Sequence, residues 1–311
     1  MLRKITISLA ALVVIQAAVC AGFWVHSSQL RQQAKRHSLF KFDTTEVNYL
    51  SVQSAKKQLT LKRVNGTWQL PSLDNLPADS AKIANLLSQL RQVQVDWPIA
   101  NSTSAQKRFQ VAKDNFKRHI TIKAKGKTVA DFYLGSEPNY HQRSLRQAQD
   151  KAIYQVHLSA SPLGVNAQQW LDKTLLAATC DSIKGPSFSI IKQKQVWRNG
   201  SKHSHLKEVV SQTHAAEIAD ALANLSVQNV AKMPIKTAAE LTLNVTSGKH
   251  DYRYQLYHQN KRYQISRSDY KQHFVINQGQ YEQLLKATAH NLFHPVKVKA
   301  KKSKVAATGS K

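Results

Sequence analysis

Apolar and polar residues alternate along positions 46–52 and again along 58–64, the two-residue period of strands with one buried face. Asn65-Gly66 separates the second run from Thr67-Trp68-Gln69-Leu70, and that dipeptide between alternating runs predicts a tight hairpin. Pro77-Ala78-Asp79-Ser80 supplies capping residues ahead of Ile83, Leu86, Leu87 and Leu90, whose spacing predicts a helix with one face in a core. Val93, Val95, Trp97 and Pro98 then lead into a loop at 101–104. Strands are predicted over 119–124 and 128–134, joined by a turn at Lys125-Gly126-Lys127, with a third alternating segment over 152–156. A helix ending near Trp170-Leu171-Asp172 closes this half.

The second half reads in the same order. A strand pair at Ile190-Ile191 and Val196-Trp197-Arg198-Asn199-Gly200 precedes a helix through Ile218, Leu222 and Leu225. Strands follow at 240–245, 252–257, 261–265 and 273–276, then a last helix through Tyr281, Leu284 and Leu285. Val-Gln follows the first helix of each half, at Val93-Gln94 and Val227-Gln228. A match in order and spacing at a period above about 100 residues predicts paired domains, not a solenoid. The expected fold class is α+β, two similar units of antiparallel sheet plus helices, preceded by an N-terminal transmembrane helix.

That helix is the run 5–25, interrupted by Gln16 alone as a strongly polar residue and preceded by Arg3-Lys4. At about 1.5 Å per residue it spans a hydrocarbon core of about 30 Å. Val19-Cys20-Ala21 leaves two rival readings open, a cleaved signal peptide and a lipidated Cys20. The domain plan is an anchor over 1–27, a juxtamembrane linker over 28–39, a first repeat over 40–178, a second over 179–295 and a Lys-rich disordered tail over 296–311. Long C-terminal regions translocate largely irrespective of charge, so both repeats are expected outside the cytoplasm.

Charge changes the picture of partners. Lys and Arg number 45 against 18 Asp and Glu, a formal net charge of +27. A field of that sign favours anionic surroundings, as a diffuse basic surface or as a dedicated polyanion site, with nucleic acid ranked last because the location is extracytoplasmic. Cys20 and Cys180 are too differently placed to pair, so packing must hold the fold.

No motif assigns chemistry: catalytic, cofactor-binding and metal residues are all read as none, and the chain as no enzyme. Gly126-Lys127-Thr128 has Thr121 where a phosphate-binding loop needs glycine, and it joins strands. His203-Ser204-His205 has no carboxylate or thiolate nearby to complete a metal site. Cys180 lacks a nucleophile signature, and Asp74 and Asp79 flank a helix start where turn formation and capping account for them. Tyr252-Arg253-Tyr254, Tyr257 and Arg262-Tyr263 fit base or sugar stacking, and equally cross-strand pairing.

Leu59-Thr60-Leu61-Lys62-Arg63, Gly66-Thr67-Trp68-Gln69-Leu70, Pro77-Ala78-Asp79, Tyr133-Leu134-Gly135, Ile153-Tyr154-Gln155-Val156 and Trp170-Leu171-Asp172-Lys173-Thr174-Leu175-Leu176 together resemble the bacterial family catalogued as domain of unknown function 4340. The resemblance runs over about 40–176 and more loosely beyond. It implies an N-terminal membrane segment and, from relatives that accompany ABC-type transport systems and gliding-motility components, an auxiliary role in the envelope. It carries over no catalytic residue. The expected function is therefore a membrane-anchored accessory or scaffold protein at the bacterial inner membrane, docking a protein partner such as a transporter subunit through sheet edges or between the repeats. The alternative is a module that binds an anionic envelope polymer or nucleic acid.

Overall fold

The computed structural model describes residues 16–19, 37–137, 142–158, 163–201 and 208–295. The anchor at 5–25, apart from its short helical piece at 16–19, most of the linker, His203-Ser204-His205 and the Lys-rich tail lie outside these. Among the described residues no helix is long and apolar enough to cross a membrane. The chain divides into two compact units after Leu171. The boundary read from sequence stands at 178/179, seven residues later, but residues 173–178 bond within the second unit: Val227 N–H donates to Lys173 O and Ala178 N–H to Leu222 O.

The first unit is built on β1 (Val47–Gln53), β2 (Gln58–Val64), β3 (Thr67–Leu70), β4 (Leu76–Pro77), helices α1 (Ser80–Arg91) and α2 (Thr103–Arg108), β5 (Arg118–Ala124), β6 (Lys127–Leu134), β7 (Gln142–Gln147) and β8 (Ile153–His157). These eight strands form one sheet in the order β8-β7-β6-β5-β1-β2-β3-β4, every pairing antiparallel. Asp79 caps α1, its Oδ1 accepting from Lys82 N at 2.9 Å. Ile83, Leu86, Leu87 and Leu90 are all buried, as the helical spacing predicts, each worth about 1.5–3 kcal/mol of transfer free energy.

Alternation fails where local structure overrides it. Val47 and Leu50 are both buried although two residues separate them, because the β1–β5 register shifts between Val47 and Tyr49 and a bulge resets which face the side chains take. In β6 and β7, consecutive residues are buried: Phe132, Tyr133 and Leu134, then Ser144, Leu145 and Arg146. Both faces of the sheet are covered there, one side by a small cluster of Ala105, Val111, Tyr133 and Ile153 with Phe109 and Phe116 packed against it. Gly135 is required by that cover, since a Cβ there would lie 1.9 Å from Phe109 O.

Among the described residues no α-helix immediately precedes Asp172, contrary to the expectation. Ala167–Gln169 makes a single 3-10 turn, capped by Asn166, whose side chain accepts from Gln168 N. The spacing was misleading because Trp170 is oriented from outside any helix: its indole N–H donates to Gly164 O at 2.8 Å and its carbonyl accepts from Asp79 N at 2.8 Å. The segment is thus spent on holding the start of α1.

The second unit contains β9 (Ser182–Lys184), β10 (Ser189–Gln193), β11 (Val196–Asn199), α3 (Gln212–Ala223), β12 (Asn229–Val230), β13 (Leu241–Ser247), β14 (His250–Gln259), β15 (Arg262–Arg267), β16 (His273–Val275) and α4 (Gln278–Leu285). Its sheet runs β11-β10-β9-β13-β14-β15-β16-β12, all antiparallel. In both sheets the unit's first strand lies inside, with the next two strands on one side and the four-strand meander that follows the helix on the other. Even the short flanking partner corresponds: β12 pairs with β16, and Ala100 bridges Ile153 of β8.

Within the second unit His273 is half-buried, stacks on Tyr257 at 4.7 Å, and has its Nδ1 buried without a hydrogen-bond partner. Burial holds its pKa below the ordinary histidine value. The unfolded chain therefore takes up this proton first, and stability present above about pH 6.5 falls as pH drops from there towards the lowered folded pKa. Melting curves across that window should show His273→Phe with a shallower loss than the wild type; equal slopes would remove His273 from the account.

Candidate functional site

The first unit carries a surface groove of about 810 Å³, a size typical of small-ligand sites. One wall is the C-terminal end of α1 and the segment after it, with Gln89, Gln92, Val93 and Gln94. The facing wall comes from β7 and β8, with Gln142, Gln155 and His157, and continues to Leu158. Asp96, Trp97 and Ile99 complete it. Among the described residues no Lys or Arg lines it, although the whole chain is strongly basic.

The geometry of both walls is set by the sheet and its flanking segment. Antiparallel pairing places Gln142 opposite His157 and Ser144 opposite Gln155. Gln155 Nε2 donates to Gln142 Oε1 at 2.9 Å, and Gln142 Nε2 lies 3.5 Å from His157 Nε2. On the other side, Val95 is buried and pairs with His37, while Ile99 N–H donates to Ile153 O at 2.7 Å and Ile153 N–H to Ala100 O at 2.8 Å. Trp97 and Pro98 are thus suspended between two fixed points, and proline restricts the backbone further. The indole of Trp97 remains 64% exposed.

The residues singled out from sequence fall elsewhere. Asp79 is the α1 cap, and Asp74 occupies a left-handed position at φ 53° after a 3-10 turn. Lys125 and Gly126, at φ 49° and 79°, form the tight hairpin turn between β5 and β6, a conformation glycine adopts without steric cost. Cys180 is buried, and burial pushes its thiol up to about 12, so it stays protonated at neutral pH. Tyr252 and Tyr254 oppose Val245 and Leu243 across β13–β14. Arg267 of β15 lies over Tyr252 with its guanidinium carbon 4.3 Å from the ring centroid, and donates to both carboxylate oxygens of Asp269 at 2.7 and 2.8 Å. These aromatic and basic residues are engaged in sheet contacts. Among the described residues no three His, Cys, Asp or Glu side chains gather where they could hold a metal ion.

A histidine–carboxylate pair not singled out from sequence occurs on β5 and β6, where His119 Nε2 lies 2.6 Å from Asp131 Oδ1 and the ring stacks on Tyr133 at 4.4 Å. A nucleophilic relay needs a hydroxyl on the other histidine nitrogen. The Thr121 hydroxyl instead donates to Asp131 at 3.3 Å, on the carboxylate side. Edge pairing is also partly pre-empted in the second unit. The Gln212 side chain accepts from Trp197 N at 2.9 Å and donates to Trp197 O at 2.8 Å, taking the place of a neighbouring strand on β11.

Comparison with known proteins gives one result. The family model described as a domain of unknown function (DUF4340) matches residues 68–245, more than half of the 311, from β3 in the first unit to β13 in the second. Searches of curated proteins and of solved structures return no match.

Proposed function

Starting from the membership of this chain in the DUF4340 family, we propose that it is a single-span accessory or scaffold protein of the bacterial envelope, with both units outside the inner membrane and acting by binding a protein partner such as a transporter subunit. The observation that carries this reading is the run 5–25, long enough to cross a bilayer and interrupted only by Gln16 among strongly polar residues. The shared strand order of the two sheets supports a duplicated body, two copies of one α+β unit on one anchor. The Gln212 plug on β11 directs a partner to side-chain surfaces and away from that edge. Purification of the intact protein from detergent-solubilised membranes should recover a stoichiometric partner; repeated recovery of the chain alone contradicts the reading.

The formal charge of +27 favours a second reading, a module for anionic envelope polymers. Binding of that kind weakens steeply with salt as counterions are released. A salt-independent interaction, or none, dismisses it.

A further inference from the structure

We propose that the groove of the first unit is a binding site for an uncharged oligosaccharide, with Trp97 as the stacking platform and glutamine side chains as the hydroxyl readers. The inference goes beyond the accessory role above and does not depend on where the chain resides.

Three observations carry it. First, the described residues that line the groove include five glutamines and no Lys or Arg. Each carboxamide offers an acceptor oxygen and two N–H donors without net charge, the complement of a sugar hydroxyl, which both donates and accepts. Among the described residues this wall offers an anionic ligand no cation. Second, Trp97 is 64% exposed yet held by backbone anchors on both sides. An exposed indole face is an apolar platform matched to the C–H face of a pyranose ring, and the anchored backbone that carries it lowers the entropy cost of binding. Third, Gln155 and Gln142 are already bonded to one another, so their remaining donors and acceptors are oriented before any ligand arrives. A wholly apolar ligand would leave these amides desolvated and unpaired, which is costly.

A protein segment is the competing occupant, and one experiment separates the two. The full chain, in a detergent without a sugar headgroup, is titrated calorimetrically with tetrasaccharides of β-1,4-linked N-acetylglucosamine, β-1,4-linked glucose and α-1,4-linked glucose. At least one should bind, with affinity unchanged between low and high salt because no ion pair is involved. Trp97→Ala should weaken it by about tenfold or more, the scale of losing one stacked ring, Trp97→Phe should restore part of it, and Gln155→Ala should also weaken it while the melting temperature stays at the wild-type value. Silence with all three sugars overturns the assignment, as does binding that Trp97→Ala leaves intact. Cross-linking of a polypeptide through a photoreactive residue at position 97, without any sugar response, gives the groove to a protein partner instead. Loss of sugar binding leaves the partner pull-down untouched, so the two readings fail separately.

Discussion

Trp170→Ala is expected to destabilise the first unit by about 3–5 kcal/mol, the range for removing a fully buried large aromatic side chain. Trp170 has no exposed surface and is among the largest such side chains in the chain. Its removal leaves a cavity and also deprives Gly164 O of the indole donor. It further loosens a junction, since Asp79 N–H bonds to the Trp170 carbonyl, Ala78 bridges Leu171, and the Lys82 ammonium sits 4.9 Å from the ring while donating to Gln169 O. A domain's total stability is about 5–15 kcal/mol, so the unit should be left near the margin. Thermal unfolding followed by circular dichroism should show a drop on the order of 10 °C. Trp170→Phe keeps most of the packing, loses the Gly164 bond and should fall between. A change of about 2 °C or less in the alanine variant would mean that Trp170 does not tie α1 to the end of the unit.

Arg146→Met should cost about 2–4 kcal/mol, through polar groups left unpaired and not through a lost ion pair. Arg146 is 5% exposed, on β7, with its guanidinium over the Tyr133 ring at 4.8 Å. It donates to four carbonyls: Val111 at 2.8 Å through Nε, and Gln147, Ala148 and Asp150 at 3.0, 3.2 and 2.7 Å through one terminal nitrogen. Burial draws its pKa down, though an arginine starts so high that it remains charged. Methionine fills much of the volume and satisfies none of the carbonyls. Lysine keeps the charge but lacks the planar fork, so Arg146→Lys should recover only part of the loss. Urea titrations of the three proteins measure this order; a methionine variant as stable as the wild type refutes the role given to the fork.

The two positions also show what the sequence discloses and what it withholds. Strands β2, β3 and β5 and helices α1, α3 and α4 follow from period alone, because each has one face in a core and one in water. β7 is not legible: Gln142–Gln147 reads QRSLRQ, and its burial on both faces rests on an arginine whose acceptors are the backbone carbonyls of Val111, Gln147, Ala148 and Asp150. Composition carries no signal for a charge solvated by carbonyl oxygens. The short strand β9 likewise carries no periodic signal, having only Ile183 buried within three residues. The groove divides in the same way. Gln89, Gln92, Gln94, Asp96 and Trp97 are close in sequence, whereas Gln142, Gln155 and His157 join them only because β8 bridges the segment at Ala100.

The central claim, a single span with both units outside the inner membrane, is tested most directly by fusing alkaline phosphatase after Lys311 and sequencing the N-terminus of the mature chain. The account predicts an active reporter on a protein that begins at or just after Met1 and stays with the membrane. An inactive reporter would put both units in the cytoplasm and contradict the account, and an active reporter on a chain released by cleavage near Cys20 would contradict the anchor.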